Sequence, residues 1–120
     1  MKELKEENQK ESILEKTARE YYVSGNEELS KKRNNSAVVL FFKSLVALVD
    51  LYIYKKLKIT PSSHNHRFSI VKEKFNDIYN LLDKDFPFYQ DSYNILMSKE
   101  LAEVIREDAE KIAKEIGLNL

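Results

Sequence analysis

Apolar residues recur along this chain at helical spacing. Leu14, Ala18 and Tyr21 form a first stripe, widened by Ile13, Thr17 and Tyr22. The stripe predicts a helix that stops at Gly25-Asn26, because glycine readily takes the left-handed conformation that closes a helix. A second helix is expected from about Glu27 to Lys58. Its opening turns are polar, but Ser36–Ile59 is apolar almost all the way round, with Lys43 and Asp50 as the charges in its middle. These two lie seven residues apart, close to two turns, and so share a side. A helix apolar on every face is a membrane span or the central member of a bundle. Each mid-span charge would cost about 2.5–3.5 kcal/mol at a bilayer centre, so the bundle is favoured and no membrane is expected.

Thr60-Pro61-Ser62-Ser63 breaks the chain, and Ser63 or Asn65 is suited to cap a third helix. Phe68, Val71, Phe75, Ile78 and Leu82 step along one face of it. Asp85-Phe86-Pro87 predicts the next break, then a short helix from about Pro87 to Met97. Ser98 caps a last helix whose stripe is Leu101, Val104, Ile105, Ala109, Ile112, Ala113 and Ile116, and Gly117 ends it. The expected fold is all-α: one domain over residues 1–120, an up-and-down four-helix bundle with an extra short helix. The charged start, to about Lys10, is expected to fray.

Composition narrows the function. The chain has 120 residues, enough for a core, and only two Gly and two Pro, which suits long helices. It has no Cys, so disulfides and thiolate metal sites are excluded. With no cleavable leader in its charged first residues, a cytoplasmic setting is the default. Twenty basic residues balance twenty acidic ones, which removes the simple electrostatic case for a nucleic-acid binder. Gly-rich phosphate loops and the His-Glu-x-x-His metal helix are also missing, and no metal or cofactor is expected.

Three clusters could carry chemistry. Ser63-His64-Asn65-His66-Arg67 holds both histidines of the chain at a helix start, where backbone N–H groups attract anions. It equally suits a capping loop. Lys43 and Asp50 would line a groove or interface, or else reach solvent, since unpaired charges are costly to bury. Tyr89, Asp91 and Tyr93, with Tyr79 near, offer rings for stacking on a base or for packing.

The chain resembles the HEPN superfamily of small prokaryotic helical bundles over roughly Tyr21 to Ile116. Asn35–Leu45, reading NSAVVLFFKSL, looks like the family's long helix. Ser63–Ile70, reading SHNHRFSI, looks like the loop into its third helix. Phe88–Tyr93, Ser98–Glu103 and Ala109-Glu110 look like its closing pattern. Catalytic members carry an Arg followed four to six residues later by His. None of Arg19, Arg33, Arg67 and Arg106 is followed by such a His. A metal-independent ribonuclease needs a base and a cation at the 2′-hydroxyl and phosphate. The resemblance therefore implies a non-catalytic module, a homodimer that binds a nucleotide, RNA or a small nucleotidyltransferase partner, of the kind found in toxin–antitoxin pairs. Its ligand-binding candidates are Lys43, Asp50, His64, His66, Arg67, Tyr89, Asp91 and Tyr93. The alternatives are a ribonuclease with a relocated site, using His66 as base and Arg67 or Lys43 as phosphate clamp, and a purely structural helical dimer.

Overall fold

The apolar helix is the centre of the molecule, in a computed structural model that describes residues 2–120, with side chains from Gln9 onward. Met1 and the side chains before Gln9 lie outside the described part; from Lys2 onward the backbone of the segment expected to fray is helical. The described residues form five helices and no strand: α1 (Lys2–Ser30), α2 (Asn34–Leu57), α3 (His64–Lys74), α4 (Asn76–Asp91) and α5 (Lys99–Ile116). The fold is an all-α bundle. By length and composition α2 could cross a membrane, but most of its apolar side chains are buried against α1, α4 and α5. Phe41, Leu45, Leu48, Leu51 and Ile53 are fully buried along it. Small residues let α1 and α2 approach closely: Ser44, itself buried, donates its hydroxyl to the Ala18 carbonyl at 2.7 Å.

The first helix does not stop at Gly25-Asn26. It continues to Ser30, and the turn falls at Lys31–Arg33, where Lys32 takes the left-handed conformation at φ 61°. Consequently α2 starts at Asn34 rather than Glu27. Gly25 serves packing instead. A Cβ there would lie 2.6 Å from the Phe41 ring, so the missing side chain is the space that the ring occupies. At its other end α2 closes on Lys58, also left-handed, at φ 58°.

The stripe from Phe68 to Leu82 is not one helix. It breaks at Phe75, with no Gly or Pro to mark the place. Phe75 leaves helical geometry at φ −135° and packs edge-on against Tyr52, with ring centroids 5.0 Å apart. The break expected at Asp85-Phe86-Pro87 is absent, and so is a separate helix over Pro87–Met97. Helix α4 runs through Pro87, forgoing the bond that an N–H there would make to the Asp83 carbonyl. Phe86, Phe88 and Tyr89 around it pack on the core and hold the helix. Helix α5 forms as expected: the Ser98 hydroxyl accepts the Leu101 N–H at 3.1 Å, and Gly117 closes the helix at φ 78°.

Candidate functional site

Ser63 caps α3 by accepting the His66 N–H at 3.0 Å, which places His64 and Arg67 on the first turn facing α2. Arg67 grips Asp50 with two parallel bonds, Nε to Oδ1 at 2.6 Å and Nη2 to Oδ2 at 3.0 Å. Both side chains are only 13% exposed. This bidentate geometry is the strongest form of carboxylate pairing, because each oxygen meets its own N–H. The remaining Arg67 nitrogen, Nη1, lies 3.1 Å from His64 Nδ1.

That contact assigns the tautomer of His64. A guanidinium can only donate, so Nδ1 must accept and Nε2 carries the proton. Burial and the adjacent Arg67 charge both push the His64 pKa below the ordinary value of 6.5, against a smaller opposing pull from Asp50. The neutral ring is therefore the species at pH 7. Its Nε2 is buried without a hydrogen-bond partner. Aromatic rings enclose it, with Phe86 at 4.2 Å and Phe68 edge-on at 4.8 Å between centroids.

His64 forms part of the wall of a groove of about 570 Å³. Leu14, Thr17 and Tyr21 of α1 line one side of it. Phe42, Lys43, Val46, Ala47 and Asp50 of α2 also line it, with Phe86 and Tyr89 of α4. The volume is in the range of small-molecule sites, which are mostly apolar with a few polar groups. Tyr89 stacks on Phe42 at 4.6 Å, and its hydroxyl meets that of Tyr93 at 3.0 Å. That hydrogen bond, with burial, pushes the Tyr89 pKa up to about 12, so the phenol stays neutral. The exposed Lys43 holds its ammonium 6.0 Å from the centre of the Tyr21 ring.

Of the residues singled out from sequence, Lys43, Asp50, His64 and Tyr89 come together at this groove. Arg67 buttresses Asp50 and His64, and Tyr93 joins through Tyr89. His66 is not among the lining residues. Its Nδ1 accepts the Ser62 N–H at 2.9 Å, so it helps to close the turn before α3. Asp91 is exposed at the end of α4 and also does not line the groove. Tyr79 packs edge-on against Phe68, with centroids 6.2 Å apart. Among the described residues, no group of three or more His, Cys, Asp or Glu is placed to hold a metal ion.

Two features escaped the sequence reading. Asp85 and Asp108 form a buried acid pair between α4 and α5, with Lys84 beside them. Both lie on their helices' apolar stripes, Asp85 three residues after Leu82 and Asp108 three after Ile105, and that placement is the signal that would have found them. The second feature is the loop after α4, which is stapled to the start of α2. Asn35 donates to the Ser92 and Ile95 carbonyls at 2.8 and 2.7 Å and accepts the Met97 N–H at 2.8 Å. The loop so held presents Tyr93, Ile95 and Leu96 at 66%, 57% and 94% exposure.

Compared with protein-family models, curated proteins and solved structures, the chain finds no match in any of the three.

Proposed function

We propose that this bundle is a non-catalytic, HEPN-like binding module that holds a nucleotide in the groove between α1, α2 and α4. One observation carries the reading: an aromatic-walled groove with a lysine at its rim and a buried N–H donor in its wall. Tyr21 and Tyr89 offer ring surfaces to a base, and such stacking contributes about 1–3 kcal/mol per base. Lys43 is placed for a phosphate. The Nε2–H of His64 would be satisfied by an acceptor on the ligand, which costs less than leaving it unpaired. A mononucleotide suits the site better than RNA, because Arg67 is committed to Asp50 and the chain has no net positive charge. The HEPN resemblance points to the same ligand class.

The test is titration of isotope-labelled protein with AMP, GMP, ADP and ATP, followed by amide and aromatic NMR shifts. Saturable shifts at Tyr21, Lys43, His64 and Tyr89 are expected. Their absence at millimolar nucleotide would overturn the reading.

A protein partner is the second reading, favoured by the stapled apolar loop of Tyr93, Ile95 and Leu96. Exposed apolar residues on a rigid loop mark association surfaces. The partner is a second copy or a small nucleotidyltransferase. Light scattering of the wild type and of Leu96→Glu separates the two: a wild-type dimer that the substitution dissociates identifies the homodimer, and a wild-type monomer excludes it.

A further inference from the structure

Asp85 is fully buried on α4 and Asp108 is 2% exposed on α5, and the two carboxylates meet at the same Lys84 ammonium. Neither Asp85 oxygen has a hydrogen-bond partner. The cations reach in from solvent. Lys84 Nζ is 2.9 Å from Asp108 Oδ2 and 3.8 Å from Asp85 Oδ1, and Lys111 Nζ is 3.8 Å from Asp108 Oδ1. Lys84 and Lys111 are 50% and 70% exposed, so water screens much of their charge. Among the described residues the charged groups acting on Asp85 are Lys84 of its own helix and Asp108 and Lys111 of α5. None from α1, α2 or α3 acts on it.

Two adjacent buried carboxylates cannot both ionise cheaply. Each lost hydration shell costs several kcal/mol, and their like charges repel. A single proton between them removes one charge and turns the contact into a donor–acceptor pair. We propose that Asp85 and Asp108 share one proton at neutral pH, and that this proton is a latch closing the second half of α4 onto α5. Opening releases the proton to solvent and leaves two hydrated carboxylates. The contacts around Asp85 decide what the latch controls. Leu82, one turn earlier, is in the core. Phe86, the next residue, stacks near His64 in the groove wall. Opening the latch therefore loosens a wall of the groove as well as the α4–α5 contact.

Burial first, then Asp108, pushes the Asp85 pKa up to about 8, which sets the pH window. The closed state binds a proton more tightly than the open one, in which the Asp85 carboxyl returns to near the ordinary value of 3.8. The opening constant should therefore rise with pH, by up to about tenfold per unit, from about pH 4, and level off above about 8.

The test is native-state amide exchange on Leu81–Asp91, corrected for the intrinsic base-catalysed rate, in wild type and Asp85→Asn. Asparagine matches the protonated carboxyl in shape and keeps a donor for Asp108. In wild type the opening constant of this segment should rise at least tenfold between pH 6 and pH 8, while α2 serves as the internal reference. In Asp85→Asn it should be flat. A flat wild-type profile, or the same slope in both proteins, would overturn the latch. Carboxyl-carbon NMR titration of the wild type is the second measurement, independent of whether the variant folds. One resonance titrating well above the aspartate range supports the shared proton, and two ordinary aspartate titrations exclude it.

Discussion

Asp50 and the Asp85–Asp108 pair meet the same difficulty, a carboxyl removed from water, and solve it differently. Asp50 has one cation to itself: Arg67 gives an N–H to each oxygen, and no extra proton is needed. Asp85 and Asp108 share one ammonium, Lys84, that stands half in solvent, and the still more exposed Lys111 reaches only Asp108. The difference lies in donors per oxygen. Where each oxygen has a donor the carboxylate fixes geometry, as Asp50 does for Arg67 and, through it, His64. Where donors run short a proton fills the gap, and the site becomes sensitive to pH.

The two regions should answer pH with opposite signs. His64 has a pKa below its unfolded value of 6.5, so the unfolded chain binds the proton more readily. Its contribution to stability is present above about pH 6.5 and is lost as pH falls through the folded value. Asp85 has its pKa raised, so its contribution is full below the ordinary aspartate value and is lost as pH rises toward about 8. Below about pH 6.5 the two groups therefore pull stability in opposite directions, and between there and about pH 8 the decline belongs to Asp85 alone.

Removing each cation is the largest way to break the comparison. Arg67→Ala leaves Asp50 with no donor and His64 Nδ1 without its partner, and should cost about 3 kcal/mol by chemical denaturation, the scale for breaking a buried pair. Lys84→Met should cost only about 1 kcal/mol. The lysine is half exposed, and the acid pair can hold its proton more tightly in response. Equal losses in the two variants would show that the acid pair has no proton to fall back on.

The sequence was a good guide wherever structure is set locally. Helix α5 could be read in full because its stripe, the Ser98 cap and Gly117 all agree. Gly25 misled for a physical reason. Glycine at a helix end and glycine under an aromatic ring look alike in sequence, and only the Phe41 contact tells them apart. The break at Phe75 carries no local mark because the pull of Tyr52 on its ring is tertiary. Within the site, Asp50, His64 and Arg67 stood out as residue types that do chemistry. Their pairing did not, since Asp50 and Arg67 sit on different helices and helical spacing says nothing about which side chains meet across a turn. In the sequence Asp85 reads as punctuation because it precedes Phe86-Pro87. Its position one turn after Leu82 was the better clue.

A smaller effect comes from His64→Phe. The substitution removes a buried Nε2–H with no partner and keeps a ring against Phe86 and Phe68, but it takes the acceptor from Arg67 Nη1. These terms oppose each other, and stability at pH 7 should stay within about 1 kcal/mol of wild type. The variant should lose the acid-side decline that His64 causes, so that the wild type weakens relative to it between pH 7 and pH 5. Parallel denaturation profiles over that range would mean that His64 does not gain its proton on unfolding.

The smallest effect on stability, and the sharpest on the proposed ligand, belongs to Lys43. Its side chain is exposed and its contact with the Tyr21 ring is long, so Lys43→Ala should change stability by no more than about 0.5 kcal/mol. If a phosphate sits over that ammonium, nucleotide affinity should fall by about tenfold, or ~1.4 kcal/mol, while the corresponding nucleoside binds both proteins alike. The nucleoside comparison separates charge from stacking. A loss for both ligands would mean that Lys43 shapes the groove. A loss for neither would place the phosphate elsewhere and leave the aromatic walls as the source of affinity. In that case the division drawn between Asp50 and the acid pair would still hold, because it depends on donors and burial and on no ligand.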